Sequence, residues 1–170
     1  GGPRVEPAIR TAAAVDALPV LAVEEALSYV LKTIELLKPV LEVPLIGFCG
    51  GPFTVASYFI DSGSQHVFVH TKAWVEQDPA SFHRLLDKIT TASIAYLQAQ
   101  VQTGVHAVQI FDSWASILTY AQFQTFCLPY LKRMVEALPK TPVILFCRNS
   151  SLYPQELAQL EPRCISFDWH

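Results

Sequence analysis

The sequence predicts an α/β fold with parallel strands, and three observations predict it. Short apolar runs alternate with helical patterns, a polar residue follows each run, and glycine or proline marks the joints between them. The stretch PLIGFCGGPFTVASYFID, residues 44–61, shows all three. Leu45, Ile46 and Phe48 have the composition of a strand covered on both faces. Gly50 and Gly51 permit positive φ or close approach of a ligand or a neighbouring strand, and Pro52 suits the first turn of the helix that follows.

The other elements follow in order. A helix is expected over 23–38, with Val23, Leu27, Val30, Leu31, Ile34 and Leu37 on one stripe and Pro39 as its stop. After the strand and the helix ending near Ile60, residues 61–65 read DSGSQ, turn chemistry suited to a mobile lid. Asp78 and Pro79 start a long helix that Gly104 ends. A strand follows over 105–111. The uncharged run 113–131 contains Ser116, Thr119, Gln122, Gln124 and Pro129, so it reads as a loop and core helix rather than a membrane span. Thr119 and Gln122 have capping-box spacing, and the helix they open is expected to bend near Pro129 on its way to Leu138. A third strand over 143–147, a short helix over 154–160 and a fourth strand over 164–167 complete the order.

Right-handed crossovers bring the carboxyl ends of parallel strands to one rim, where α/β folds bind ligands. The residues expected there are Cys49, Gly50 and Gly51, then Asp112 and Ser113, then Arg148, Asn149 and Ser150, and finally residues 168–170. No GxGxxG and no GK[ST] occurs, so a dinucleotide or P-loop fold is disfavoured. The better expectation is a partial (β/α)8 TIM barrel. Four strands in 170 residues fall short of the roughly 250 residues of a whole barrel, so the barrel is expected to be incomplete in this chain.

Composition excludes several classes. A chain 51% hydrophobic and 16% charged has the means to form a core, and a net charge of −3 without a basic stripe offers nothing to nucleic acid. Cys49, Cys127, Cys147 and Cys164 never fall in CxxC spacing. Three of them fall in expected strands, where a free cysteine behaves as a small buried hydrophobe, and the set reads as that of a reducing cytosol. Arg4, Glu6, Arg10 and Asp16 interrupt the start, so no signal peptide is expected.

The blocks PLIGFCGGPFTVASYFID, VHAVQIFDSWA, FCLPYLKR, PVILFC and ISFDW, in that order, resemble the uroporphyrinogen decarboxylase family. The resemblance implies a (β/α)8 barrel that removes carbon dioxide from the four acetate side chains of uroporphyrinogen III, giving coproporphyrinogen III for heme biosynthesis without metal or organic cofactor. It implies that a protonated pyrrole ring serves as the electron sink, that an aspartate contacting the pyrrole NH groups favours the positive charge, and that arginines hold carboxylates. It also implies a cytoplasmic enzyme, homodimeric when full length. By position, Tyr58 matches a tyrosine bordering the substrate, Ser113 a hydroxyl residue bonding a substrate carboxylate, and Phe111 a residue lining the same cleft. The family's aspartate, arginines and late histidine are expected before residue 1 or after residue 170. Where the family has a small residue, Lys and Gly after its third strand, this chain has Cys147, Arg148, Asn149 and Ser150.

Each candidate also has a plainer reading. Tyr58 can pack under the 61–65 loop; Asp112 can serve as a general acid or base or anchor a neighbouring helix N-terminus. Ser113 can cap local backbone. Arg148 can clamp a carboxylate or form a surface ion pair, and Asp168 has no assigned role. His66 and His70 share a helical spacing with metal pairs, but no HExxH glutamate accompanies them. Phe68 and Trp74 read as core or interface aromatics. Two rival functions remain: a zinc methyltransferase of methylated cobamides on the same fold, whose His-x-Cys pair finds Leu145 in place of His before Cys147, and a non-catalytic tetrapyrrole-binding fragment.

Overall fold

A computed structural model describes residues 5–62 and 68–168. At the N-terminal side, α1 (Ala12–Asp16) is capped by Thr11, whose hydroxyl oxygen accepts from Ala14 N at 3.1 Å. The helix expected over 23–38 is two helices, α2 (Val23–Ala26) and α3 (Ser28–Leu37), separated at Leu27 with φ −115°. Neither proline nor glycine marks that break, so no local signal announces it. Pro39 lies just past the end, as expected.

Strand β1 (Ile46–Gly50) leads through Gly51 into α4 (Pro52–Asp61), with Pro52 in the first turn. Gly51 has φ −67°, so positive φ is not what the joint requires. Close approach is: a Cβ at Gly51 would stand 2.5 Å from Asp112 Cβ, and one at Gly50 would stand 2.8 Å from Val55. Helices α5 (Val69–Gln77) and α6 (Pro79–Thr103) follow. Asp78 caps α6 by accepting from Ser81 N at 3.1 Å, and Gly104 ends it at φ 119°, a left-handed position that suits a residue without Cβ.

Asp61 belongs to α4 rather than to a loop, and it is buried. Its carboxylate accepts from His70 N, Thr71 N and Thr71 Oγ1 at 3.2, 3.1 and 2.6 Å, so it fastens the first turn of α5. Residues 63–65 of the expected lid lie outside the described residues.

Strand β2 (Ala107–Asp112) runs into a short 3-10 helix, Ser113–Ile117. The Thr119–Gln122 capping box forms in full at the start of α7 (Tyr120–Phe126). The single bent helix expected from there to Leu138 is instead interrupted at Cys127, and α8 (Leu128–Glu136) begins anew with Pro129 in its first turn. A continuous helix would have set the proline ring against a carbonyl one turn back. Strand β3 (Val143–Cys147), a 3-10 turn at Ser150–Leu152, α9 (Pro154–Ala158) and β4 (Cys164–Ser166) follow.

The four strands are parallel and lie in the order β1-β2-β3-β4. Every crossover therefore steps in the same direction, as in a singly wound barrel, with no reversal of the kind that opens a doubly wound sheet. One face carries Cys49, Val108, Ile110, Val143 and Leu145, all buried beneath the helices. The core there is filled by Phe53, Phe82, Leu85, Leu86, Leu97, Leu131 and Met134, each without exposed surface.

The opposite face departs from expectation. Ile46 is 48% and Phe48 63% exposed, so β1 is covered on one face, because no described element packs against the other. Phe48, Phe111 and Phe146 form a row across that face, with ring centroids 6.1 and 5.9 Å apart. Cys164 is also exposed, unlike the other three thiols, since it takes its place on this open side opposite Ile144.

Buried Gln100 of α6 reaches the outer edge of β1. Its Oε1 accepts from Phe48 N and its Nε2 donates to Phe48 O, both at 3.1 Å. Leu45 O and Gly51 N bond across to the β2 side, so Phe48, out of step with them, points its peptide groups outward. Gly47 makes the reach possible: a Cβ there would stand 2.5 Å from Gln100 Oε1.

Candidate functional site

The strand ends converge as expected, and a buried carboxylate organises them. Asp112, at the end of β2, has no exposed surface. Its Oδ1 accepts from Thr54 N at 2.8 Å and Thr54 Oγ1 at 2.6 Å, and its Oδ2 from Cys127 Sγ at 3.4 Å. Thr54 Oγ1 in turn accepts from Trp114 N at 3.0 Å. Burial pushes the Asp112 carboxyl up from its ordinary value, while the two Thr54 hydrogen bonds draw it back. Of the two roles open to Asp112, the geometry shows the anchor: it holds the N-terminus of α4 and, through Thr54, the start of the 3-10 helix. With no exposed surface, its oxygens are committed to Thr54 and Cys127.

Above this anchor lies an aromatic cluster centred on Trp114. Tyr58, half-buried on α4, sits 6.4 Å from the Trp114 ring in an edge contact, and Phe68 sits 4.9 Å from it. Arg148 places its guanidinium carbon 5.0 Å over the same ring. Arg148 is exposed and forms no ion pair among the described residues. Asn149, next in the chain, takes φ 61°, and its N–H donates to Asp168 Oδ2 at 2.8 Å. Asp168 thus fixes the turn after β3 from the end of β4. Trp169 and His170 lie outside the described residues.

Tyr58 and Ser113 are brought to one rim through Trp114, which touches the first and follows the second. Ser113 is half-buried at the start of its 3-10 helix. Phe111 is half-buried in the phenylalanine row, two residues earlier. Phe68 is buried, yet its partner is the rim tryptophan rather than the core.

Three of the thiols, Cys49, Cys127 and Cys147, are enclosed. Burial pushes Cys49 up to about 12, with the Asp112 charge adding to the effect, and Cys127 is raised for the same first reason. Cys147 is buried on the helix side beside Cys127, and Leu145, two residues earlier, has no exposed surface. His66 lies outside the described residues, so the His66 and His70 spacing finds no test. Among the described residues no three His, Cys, Asp or Glu side chains gather as a metal set, and no helix is long and apolar enough to cross a membrane.

Thr54 and Trp114 are the site residues that sequence reasoning missed. Both stand inside recognised blocks. A hydroxyl residue in the first turn after a glycine pair, facing an aspartate at the next strand end, is the signal that could have found Thr54.

The sequence model of the family described as "Uroporphyrinogen decarboxylase (URO-D)" matches residues 1–170. The chain is 51% identical over 146 residues to the uroporphyrinogen decarboxylase of Protochlamydia amoebophila, covering 85% of this chain and 40% of that protein. To that of Thermodesulfovibrio yellowstonii it is 43% identical over 168 residues, covering 99% of this chain and 49% of that one. To that of Desulfotalea psychrophila it is 42% identical over 170 residues, covering 99% and 50%. The chain spans about half the length of the curated relatives it matches. Among solved structures, a methyltransferase from Methanosarcina mazei superposes with a TM-score of 0.78 at 21% identity, over 89% of this chain and 45% of that one. That likeness concerns the fold, and with the open parallel sheet it makes this chain part of a barrel.

Proposed function

This chain belongs to the uroporphyrinogen decarboxylase family, and from that premise we propose that it forms the central portion of the single barrel domain of a carboxy-lyase. The full-length protein would convert uroporphyrinogen III to coproporphyrinogen III by removing carbon dioxide from four acetate side chains. In each step a proton enters a pyrrole ring, the bond between methylene and carboxylate breaks, and its electron pair passes into the cationic ring. Carbon dioxide leaves, and reprotonation at the methylene carbon with loss of the ring proton yields a methyl group. The substrate's own ring is the electron sink, so no cofactor is invoked.

The observation that carries this reading is the family match along the whole chain. The geometry supports it: a row of phenylalanines offers apolar surface to pyrrole rings, and a cation over Trp114 suits the carboxylates they carry. We assign Tyr58 to the border of the substrate, Ser113 to a hydrogen bond with a substrate carboxylate, and Phe111 to the cleft wall. The groups that govern pyrrole protonation are assigned to the remainder of the full-length protein, together with the arginines and histidine expected by resemblance. That protein is proposed to be a cytoplasmic homodimer with neither membrane nor nucleic acid as partner.

The test is anaerobic turnover of uroporphyrinogen III by the full-length protein, with products resolved by chromatography. Tyr58→Phe should lower kcat/KM by about tenfold, the worth of one hydroxyl hydrogen bond, with the melting temperature unchanged. Kinetics equal to wild type would remove Tyr58 from the site. Absence of turnover by the wild type, or stoichiometric tightly held zinc, would overturn the decarboxylase reading itself.

A further inference from the structure

We propose that Arg148, held over Trp114, is a substrate-binding residue that recognises a carboxylate of the tetrapyrrole and so helps set specificity for polycarboxylated rings; this rests on the decarboxylase reading above. Three independent features carry it. First, Arg148 has charge to offer. Arg84 and Arg133 are paired with Asp16 and Asp87, and Arg10 donates to Ile60 O. Arg148 forms no such bond among the described residues, and its recorded contact is the Trp114 ring at 5.0 Å. A guanidinium drawn to an aromatic face still has N–H groups in its own plane, and these fit a carboxylate as a fork.

Second, the position is prepared. The Trp114 backbone hangs on Thr54, which hangs on Asp112, and the ring is braced by Tyr58 and Phe68. The turn that begins with Arg148 is held by Asp168 through Asn149 N, with Asn149 in the left-handed region. Side chains and backbone fixed before binding lose less freedom on binding. Third, the location suits the role. Arg163 also lacks a carboxylate partner among the described residues, but it precedes β4 and so stands at the opposite edge of the sheet. Arg148 stands at the rim with Tyr58 and Ser113.

Asp168 presents the competing role. Its Oδ1 is buried and meets no hydrogen-bond partner among the described residues, so the competing role for Arg148 is an ion pair with this carboxylate that serves the fold alone.

Equilibrium binding of uroporphyrin, the oxidised and unreactive analogue, to the full-length protein separates the two roles, with thermal melts run beside it. Arg148→Gln should raise Kd by about tenfold, as loss of a charge-assisted hydrogen bond does, and leave the melting temperature in place. Arg148→Lys should recover part of the affinity, keeping charge but not the fork. In turnover, the Gln variant should raise KM more than it lowers kcat. A Kd within twofold of wild type for Arg148→Gln, a lowered melting temperature with unchanged Kd, or a wild type that binds no uroporphyrin would each overturn the proposal. A wild type that binds uroporphyrin but performs no turnover would overturn the decarboxylase reading only, because the Kd series still decides Arg148.

Discussion

Asp112 shows how little a carboxylate's place in the chain says about its work. At a strand end on the ligand-binding rim it has the address of a catalytic acid, yet Thr54 and Cys127 enclose it and Gly51 leaves room for it. Burial raises its folded-state value above the ordinary 3.8. A raised carboxyl binds its proton more tightly in the native state, so its contribution to stability is fully present below 3.8 and is lost as pH rises through the raised value. Asp112→Asn removes that dependence and keeps an oxygen for Thr54. The stability advantage of wild type over Asp112→Asn should therefore shrink as pH rises from below 4 toward neutrality, as read by urea denaturation of the full-length protein across pH; a gap that widens would reverse the assignment. Residue types and order in the blocks made Tyr58, Phe111 and Ser113 legible as candidates. Choosing between the two roles of Asp112 needed the other side of the contact, since Thr54 stands 58 positions away along the chain.

Helix ends were the best-read elements because their chemistry is local. Asp78 with Pro79, Thr119 with Gln122, and Gly104 each act within one turn of the boundary they set, and each does so here. The breaks at Leu27 and Cys127 were not read, nor was α5, whose first turn depends on Asp61 from the preceding helix. Gln100 is the clearest case of an element-level contact with no local sign: a polar residue buried in the long α6 that completes the hydrogen bonding of β1. Gln100→Leu fills similar space but leaves Phe48 N and O without their partner. It should cost about 1–3 kcal/mol, measured by urea denaturation of the full-length protein, whereas an unchanged midpoint would mean that water replaces the amide at no cost.

At the scale of the molecule, sequence patterning yielded the parallel strands and the shared rim, while strand order came only with the structure. Spacing shows that strands alternate with helices; it does not say that each crossover steps the same way. Nor did composition reveal the one-sided burial of β1, because apolar residues destined for a barrel interior and those facing helices look alike. The row of Phe48, Phe111 and Phe146 on the open face, Phe48 exposed and the other two half-buried, has a direct consequence for residues 1–170 produced as a separate polypeptide. Contiguous apolar surface of this kind seeks a cover, so this polypeptide should self-associate in sedimentation at micromolar concentration and show no turnover. A stable dilute monomer would contradict that expectation.

The amide of Gln100 carries a further meaning for how such self-association proceeds. One side chain offers the N–H and C=O of a peptide group, and at Phe48 it occupies the place that a neighbouring strand would take. β1 therefore lacks a continuous template at its outer border, and a foreign strand meeting it finds the central rung already filled. Copies that gather should therefore do so through stacked phenyl faces rather than by adding rung upon rung to β1.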